Sequence, residues 1–278
     1  MFLLRSLVKD IIKYINVFAN ESFQYEWDNS GFQLGNRQAQ VRRILLALDI
    51  TNEVIDEAIR EHCDMIISHH PLFFSKTMNI EQSSIKGDMI FKLIKNNINV
   101  YSAHTPMDVS TIGLNMFMAK KLGLSDIKPL ERVVSDKCED DTNLFGLGAV
   151  GLLDSRTPMN IDGLLKKVKK AYNTNVLRVT NNYNTLGILS KVALCTGGGN
   201  DLIDKVKEKN AKVFITSDTK YHEMQNFVDN GIVLIGVGHY NAEICFLDIM
   251  YELLRLKFRE IEVIKSEEKN VESFAYFV

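Results

Sequence analysis

The apolar positions at the start of the chain follow helical spacing. Leu4, Leu7, Val8, Ile11, Ile12, Ile15 and Phe18 share one face, which predicts an amphipathic helix. Beyond it the pattern breaks into short apolar runs alternating with helical stretches. It predicts strands over 42–49, 64–68 and 99–103, with helices over 52–62 and about 84–96 between them. The second half repeats the rhythm. Strands are expected over 191–195, 212–216 and 232–237, with helices over 200–210, about 221–230 and 242–256. Between the halves lie a polar, acid-rich loop at 135–141 and a glycine-containing buried strand over 144–153. A helix over 161–172 and a strand over 176–180 follow.

This order predicts an α/β fold. The halves also agree in detail. Asn52-Glu53-Val54-Ile55-Asp56 answers Asn200-Asp201-Leu202-Ile203-Asp204 at a helix start, and His69-His70 stands where Ser217-Asp218 stands. His104 precedes Asp108 by four residues at a strand end, as His239 precedes Glu243. The expectation is two duplicated α/β lobes, 1–130 and 131–278, with the C-terminal helix packing back on the first.

Composition narrows the class. With 278 residues, 46% hydrophobic and 24% charged, the chain suits a soluble globular protein of two domains or one large one. A net charge of −2 indicates no nucleic-acid partner, and the lysines between Lys166 and Lys170 read as one solvated helix face. Arg5, Lys9, Asp10 and Lys13 interrupt any signal-peptide core, and no apolar run spans a bilayer. Cys63, Cys138, Cys195 and Cys245 form no C-x-x-C pair and read as reduced thiols. The expected location is cytoplasmic.

The unusual polar residues gather at predicted strand ends, where open α/β sheets bind ligands. Successive side chains of a strand point to opposite faces, so His69 and His70 serve one site only where the strand stops, and Pro71 marks such a stop. With His104, Asp108, Ser217, Asp218, His239 and Glu243 they make an imidazole and carboxylate inventory sufficient for two adjacent transition-metal ions. Each fragment has a plainer reading: a solvated histidine pair, a capping aspartate, a surface i,i+4 pair. His222 reads more readily as a helix-surface residue and His62 as a helix-end residue. The Gly197-Gly198-Gly199 stretch reads as a close strand-to-helix turn, and Trp27-Asp28-Asn29-Ser30-Gly31-Phe32-Gln33-Leu34-Gly35 as a structured loop with aromatic anchors.

Taken in order, the blocks Trp27-Asp28-Asn29-Ser30-Gly31, Ser68-His69-His70-Pro71-Leu72, His104-Thr105-Pro106-Met107-Asp108 and Gly238-His239-Tyr240-Asn241-Ala242-Glu243 resemble the NGG-one-interacting-factor-three-like family, whose members are often labelled GTP cyclohydrolase 1 type 2 homologues. The resemblance runs from about Ile11 to Leu256, in the short form without an insertion domain. It departs from the family pattern at Phe32, Pro106, Met107 and Ala242. It implies a cytosolic protein of two interleaved α/β lobes, assembled into a ring-shaped homohexamer with a dinuclear metal centre between the lobes. The implied ligands are His69, His70, Asp108, His239 and Glu243, with Glu243 bridging. His104 is placed in proton transfer or beside the ligands, with direct ligation as the alternative, and His222 in the pocket. The expected activity is metal-dependent hydrolysis of a small substrate by metal-activated water, using two divalent ions (iron, zinc or manganese). The alternative is a non-enzymatic metal-binding interaction or regulatory protein.

Overall fold

A computed structural model describes residues 6–133 and 145–272. The loop expected at 135–141, with Cys138, therefore lies outside the described residues, as do Leu4 of the first helix and Leu144. The strands are β1 Gly31–Leu34, β2 Arg43–Ala47, β3 Met65–Ser68, β4 Asn99–Ser102, β5 Ser125–Arg132, β6 Gly146–Leu152, β7 Arg178–Val179, β8 Lys191–Leu194, β9 Val213–Thr216, β10 Val233–Gly236 and β11 Glu262–Lys265. The helices are α1 Val8–Phe18, α2 Asn52–Arg60, α3 Ile85–Lys95, α4 Thr105–Asp108, α5 Leu114–Lys121, α6 Ile161–Ala171, α7 Ile203–Glu208, α8 Tyr221–Asp229, α9 His239–Glu243 and α10 Cys245–Lys257. None of the described helices is long and apolar enough to cross a membrane.

The chain forms two compact units, interleaved along the sequence: Met1–Met107 with Phe246–Lys269, and Asp108–Cys245 with Asn270–Val278. Sequence reading divides the lobes at residue 130. Residues 108–130 go with the second unit because β5 pairs antiparallel with β6 there.

In the first unit the strand order is β1-β4-β3-β2-β11. β11, β2, β3 and β4 run parallel, and β1 lies antiparallel on β4. Parallel strands are covered on both faces, so their apolar runs are continuous rather than alternating. Ile44, Leu45, Leu46, Ile66, Ile67 and Val100 are accordingly fully buried. One face packs Leu45, Ile66 and Val100 against Val54, Ile55 and Ala58 of α2 and Leu93 of α3. Side-chain oxygens satisfy the first backbone amides of both helices: Thr51 accepts from Val54 N and Ser84 from Gly87 N. Just past α2, His62 takes a left-handed φ of 52°, the helix-end role its position suggests.

The second unit orders its sheet β5-β6-β8-β9-β10-β7. β8, β9 and β10 are parallel, and β7 lies antiparallel on β10. Its core joins Ala193, Phe214 and Leu234 to Leu202 and Val206 of the segment after β8 and Phe227 of α8. Each unit therefore contains three neighbouring parallel strands, β2-β3-β4 and β8-β9-β10, with an antiparallel strand on the edge of the last, and the first unit adds β11 beside β2. This is the duplication legible in the sequence, and it puts the polar blocks at equivalent places. His69 follows β3 as Ser217 follows β9, and His104 follows β4 as His239 follows β10.

Candidate metal centre

The first unit gathers three imidazoles at the carboxyl ends of β3 and β4. Beyond β3 the parallel ladder continues through His69 N to Ala47 O (3.1 Å) and His70 N to Leu48 O (2.9 Å), which fixes both backbones. Ser68 closes the turn by donating to the His70 carbonyl (2.7 Å). The rings of His69, His70 and His104 lie 5.1–5.4 Å apart, centroid to centroid. One ligand atom from each falls within 4.8 Å of the other two.

Their orientation is set at Nδ1. His69 Nδ1 bonds to the Ala103 carbonyl (3.0 Å), His70 Nδ1 to Asp49 Oδ1 (2.8 Å) and His104 Nδ1 to Asp28 Oδ1 (2.8 Å). A carbonyl or ionised carboxylate only accepts, so each Nδ1 donates, and a neutral ring then carries its lone pair on Nε2. The Asp28 side chain is fully buried. Burial alone would raise its pKa, but hydrogen bonds from His104, Ser30 and Thr105 outweigh it and hold the carboxyl well below the usual range. Asp28 thus stays an anion that can only receive the His104 proton bond.

The second unit holds a matching set. Asp218 follows β9 with a left-handed φ of 52°, a conformation aspartate tolerates. Its Oδ2 accepts from His239 Nδ1 at 2.6 Å, and His239 Nε2 lies 2.9 Å from Glu243 Oε2 one helical turn on. Hydrogen bonds to Asp218 and then to Glu243 outweigh desolvation and push the His239 pKa up to about 11. Glu243 and Asp108 are both buried. Burial first, then the negative charges of Asp108 and Glu243, hold the Cys195 thiol protonated. Gly197 gives Glu243 room, since a Cβ there would stand 3.0 Å from its Oε1. A Cβ on Gly199 would meet the Cys195 Cβ at 2.6 Å and the Phe214 ring at 2.9 Å, which explains the glycines as a close turn.

Asp108 is anchored through its backbone. Buried Asn115 donates to the Asp108 carbonyl (3.0 Å) and accepts from Thr196 N (2.9 Å). Asn115→Ala leaves two buried backbone groups without that partner. We expect a stability loss of about 1–3 kcal/mol, read as a lower urea midpoint at unchanged slope.

Of the residues singled out in the sequence, His69, His70 and His104 come together in the first unit, and Asp218, His239 and Glu243 in the second. His222 stands exposed in the first turn of α8, its ring edge-on to Tyr221 at 5.3 Å. Sequence reasoning did not assign Asp28, Asp49 and Asp218 as orienting partners of His104, His70 and His239. A signal existed, because Asp49 and Asp218 follow strand ends and Asp28 lies in the Trp-Asp-Asn-Ser-Gly block. These groups fit a transition metal. Oriented imidazole nitrogens and buried carboxylates are its ligand types, and a carboxylate behind the imidazole is the usual support.

A model of the family described as Duf34/NIF3 (NGG1p interacting factor 3) matches residues 6–271. The chain is 34% identical over 236 residues to a Clostridium acetobutylicum protein named GTP cyclohydrolase 1 type 2 homolog, covering 85% of each. It is 28% identical to the NIF3-like protein 1 of Drosophila melanogaster, over 85% of this chain and 78% of that one. Among solved structures, a Bacillus cereus protein related to NIF3 superposes with a TM-score of 0.85 at 22% identity, covering 99% of this chain and 100% of that chain.

Proposed function

The chain belongs to the Duf34/NIF3 family, and from that premise we propose that it is a metal-dependent hydrolase of a small substrate. The observation that carries the reading is the set of histidines whose Nδ1 atoms are bonded to oxygen acceptors: His69, His70 and His104 in one unit and His239 in the other. Solvated surface histidines do not need such support.

In this reading His69, His70, Asp108, His239 and Glu243 would hold two divalent ions, iron, zinc or manganese. When bound, such ions activate water for attack at neutral pH and stabilise the charge that develops on the substrate. The chain's own residues do the rest. Asp49 and Asp218 hold the His70 and His239 rings. His104 moves a proton through Nε2, because Asp28 occupies its Nδ1. His222 is assigned a lesser part in proton transfer. The relatives' printed name, GTP cyclohydrolase 1 type 2 homolog, makes hydrolytic ring opening one reaction class to assay. The assembly proposed is a homohexameric ring in the cytoplasm.

The test separates chemistry from fold. His104→Ala is expected to keep its far-ultraviolet circular dichroism and bound metal while turnover falls about 10²–10⁴-fold. His222→Ala is expected to cost less. A His104→Ala protein with undiminished turnover, or one that loses its metal, removes His104 from proton transfer.

A further inference from the structure

Beside the first-unit histidines stands a feature the metal chemistry does not use. Trp27 is 59% exposed and Phe74 61% exposed, although rings of this size are ordinarily buried. Both touch the site histidine: the His104 ring is 5.6 Å from Trp27, at 74°, and 6.0 Å from Phe74, at 60°. Trp27 and Phe74 lie 6.2 Å apart, tilted by 48°. Tyr25 backs the indole in a parallel stack at 5.9 Å and 3°.

The rings are also held in place. Tyr25 N donates to Thr105 Oγ1 (3.2 Å), and Asn29 Nδ2 donates to the Phe73 carbonyl (2.8 Å). Gln33 Oε1 accepts from Phe73 N (3.2 Å). Asp28, next to Trp27, is the buried anion that also orients His104. The same carboxylate accepts from Ser30 and Thr105, which ties the loop that carries Trp27 to the segment that carries His104. Aromatic rings fixed this way lose little side-chain entropy when a ligand stacks on them.

We propose that Trp27 and Phe74 form a stacking platform for a planar heteroaromatic ring of a small molecule, held next to His104. The inference builds on the hydrolase reading, for which it names the substrate class. A small ligand fits better than a protein partner, because the platform adjoins the histidine cluster directly. Stacking of a base on an aromatic side chain is worth about 1–3 kcal/mol, roughly 5- to 150-fold in affinity.

Trp27 is the sole tryptophan of the chain, so its fluorescence reports the platform directly. Guanosine and uridine are titrated into the wild-type protein, with and without added zinc, and ribose serves as the ring-less control. The expected result is saturable quenching by at least one nucleoside and none by ribose. Equilibrium dialysis of the same nucleoside is expected to show about tenfold weaker binding to Trp27→Leu and near wild-type binding to Trp27→Phe. Absence of saturable quenching, or equal affinity in Trp27→Leu and wild type, overturns the platform. Zinc content, measured separately, decides the metal reading. A protein that binds the ring but no metal keeps the platform and loses the hydrolase.

Discussion

Changing His70 and Glu243 together to alanine is expected to take the reconstituted protein from about two bound ions per chain to none. The two changes remove one imidazole donor from the first unit and one of the buried carboxylates, Glu243, from the second. His70 is oriented by Asp49, and Glu243 takes the His239 Nε2 contact at 2.9 Å. Neither side chain belongs to the apolar clusters that carry the two sheets. The double variant is therefore expected to fold, and its far-ultraviolet circular dichroism should match wild type while elemental analysis differs. Replacing only the supporting carboxylates is milder. Asp49→Ala or Asp218→Ala should weaken metal binding about 10- to 100-fold without abolishing it. If the double variant retains the wild-type metal content, these residues are not the ligands.

The second large effect is on pH dependence. In the absence of metal, Asp218 and then Glu243 stabilise the protonated His239 ring and raise its pKa to about 11. A metal ion competes with that proton. Affinity at His239 should thus be weakest in acid and rise with pH until the raised pKa is reached, with a proton released on loading at neutral pH. Titration calorimetry in buffers of different ionisation enthalpy counts that proton. For the metal-free fold the sign is opposite. A raised pKa contributes stability that is complete below the ordinary value of 6.5 and is lost as pH climbs through about 11. Asp218→Asn removes the largest cause of the shift, so it should bring the steep part of the metal-affinity curve down toward neutral pH. An affinity flat between pH 6 and 9 would mean that His239 does not ligate.

Much of this was legible in the residues because the parallel strands are short, continuous apolar runs followed by polar blocks. Ile44-Leu45-Leu46 and Met65-Ile66-Ile67 are buried on both faces, and that burial produces the runs. Two of the antiparallel strands are harder to read. β1 lies inside what reads as a loop, and β5, with Lys128, Pro129 and Glu131 among its residues, carries no apolar signature. β11 joins β2 from the far end of the sequence, a pairing that local pattern cannot specify. The expected helix over 200–210 starts instead as a 3-10 turn at Asn200–Leu202 before α7. Local polar residues and the glycine turn explain that delay better than periodicity does.

The site divides in the same way. Histidines and carboxylates four apart at strand ends show in one sequence. Their supporting partners do not, because Asp28 and His104 are 76 residues apart and meet only through the fold. Trp27 read as an anchor of a structured loop, yet its indole is exposed. Sequence composition distinguishes large rings from small ones but not which of them the fold leaves open to solvent.

In the proposed function, oriented histidines and buried carboxylates hold metal for hydrolysis. The most direct measurement is a hydrolysis screen of the metal-loaded protein against phosphoesters, nucleotides and cyclic amides, run beside the metal-treated His70→Ala, Glu243→Ala protein. At least one substrate is expected to be turned over by the wild type and left intact by the double variant. A screen in which no substrate separates the two proteins, while the wild type holds its metal, would contradict the hydrolase and favour a metal-binding interaction or regulatory protein.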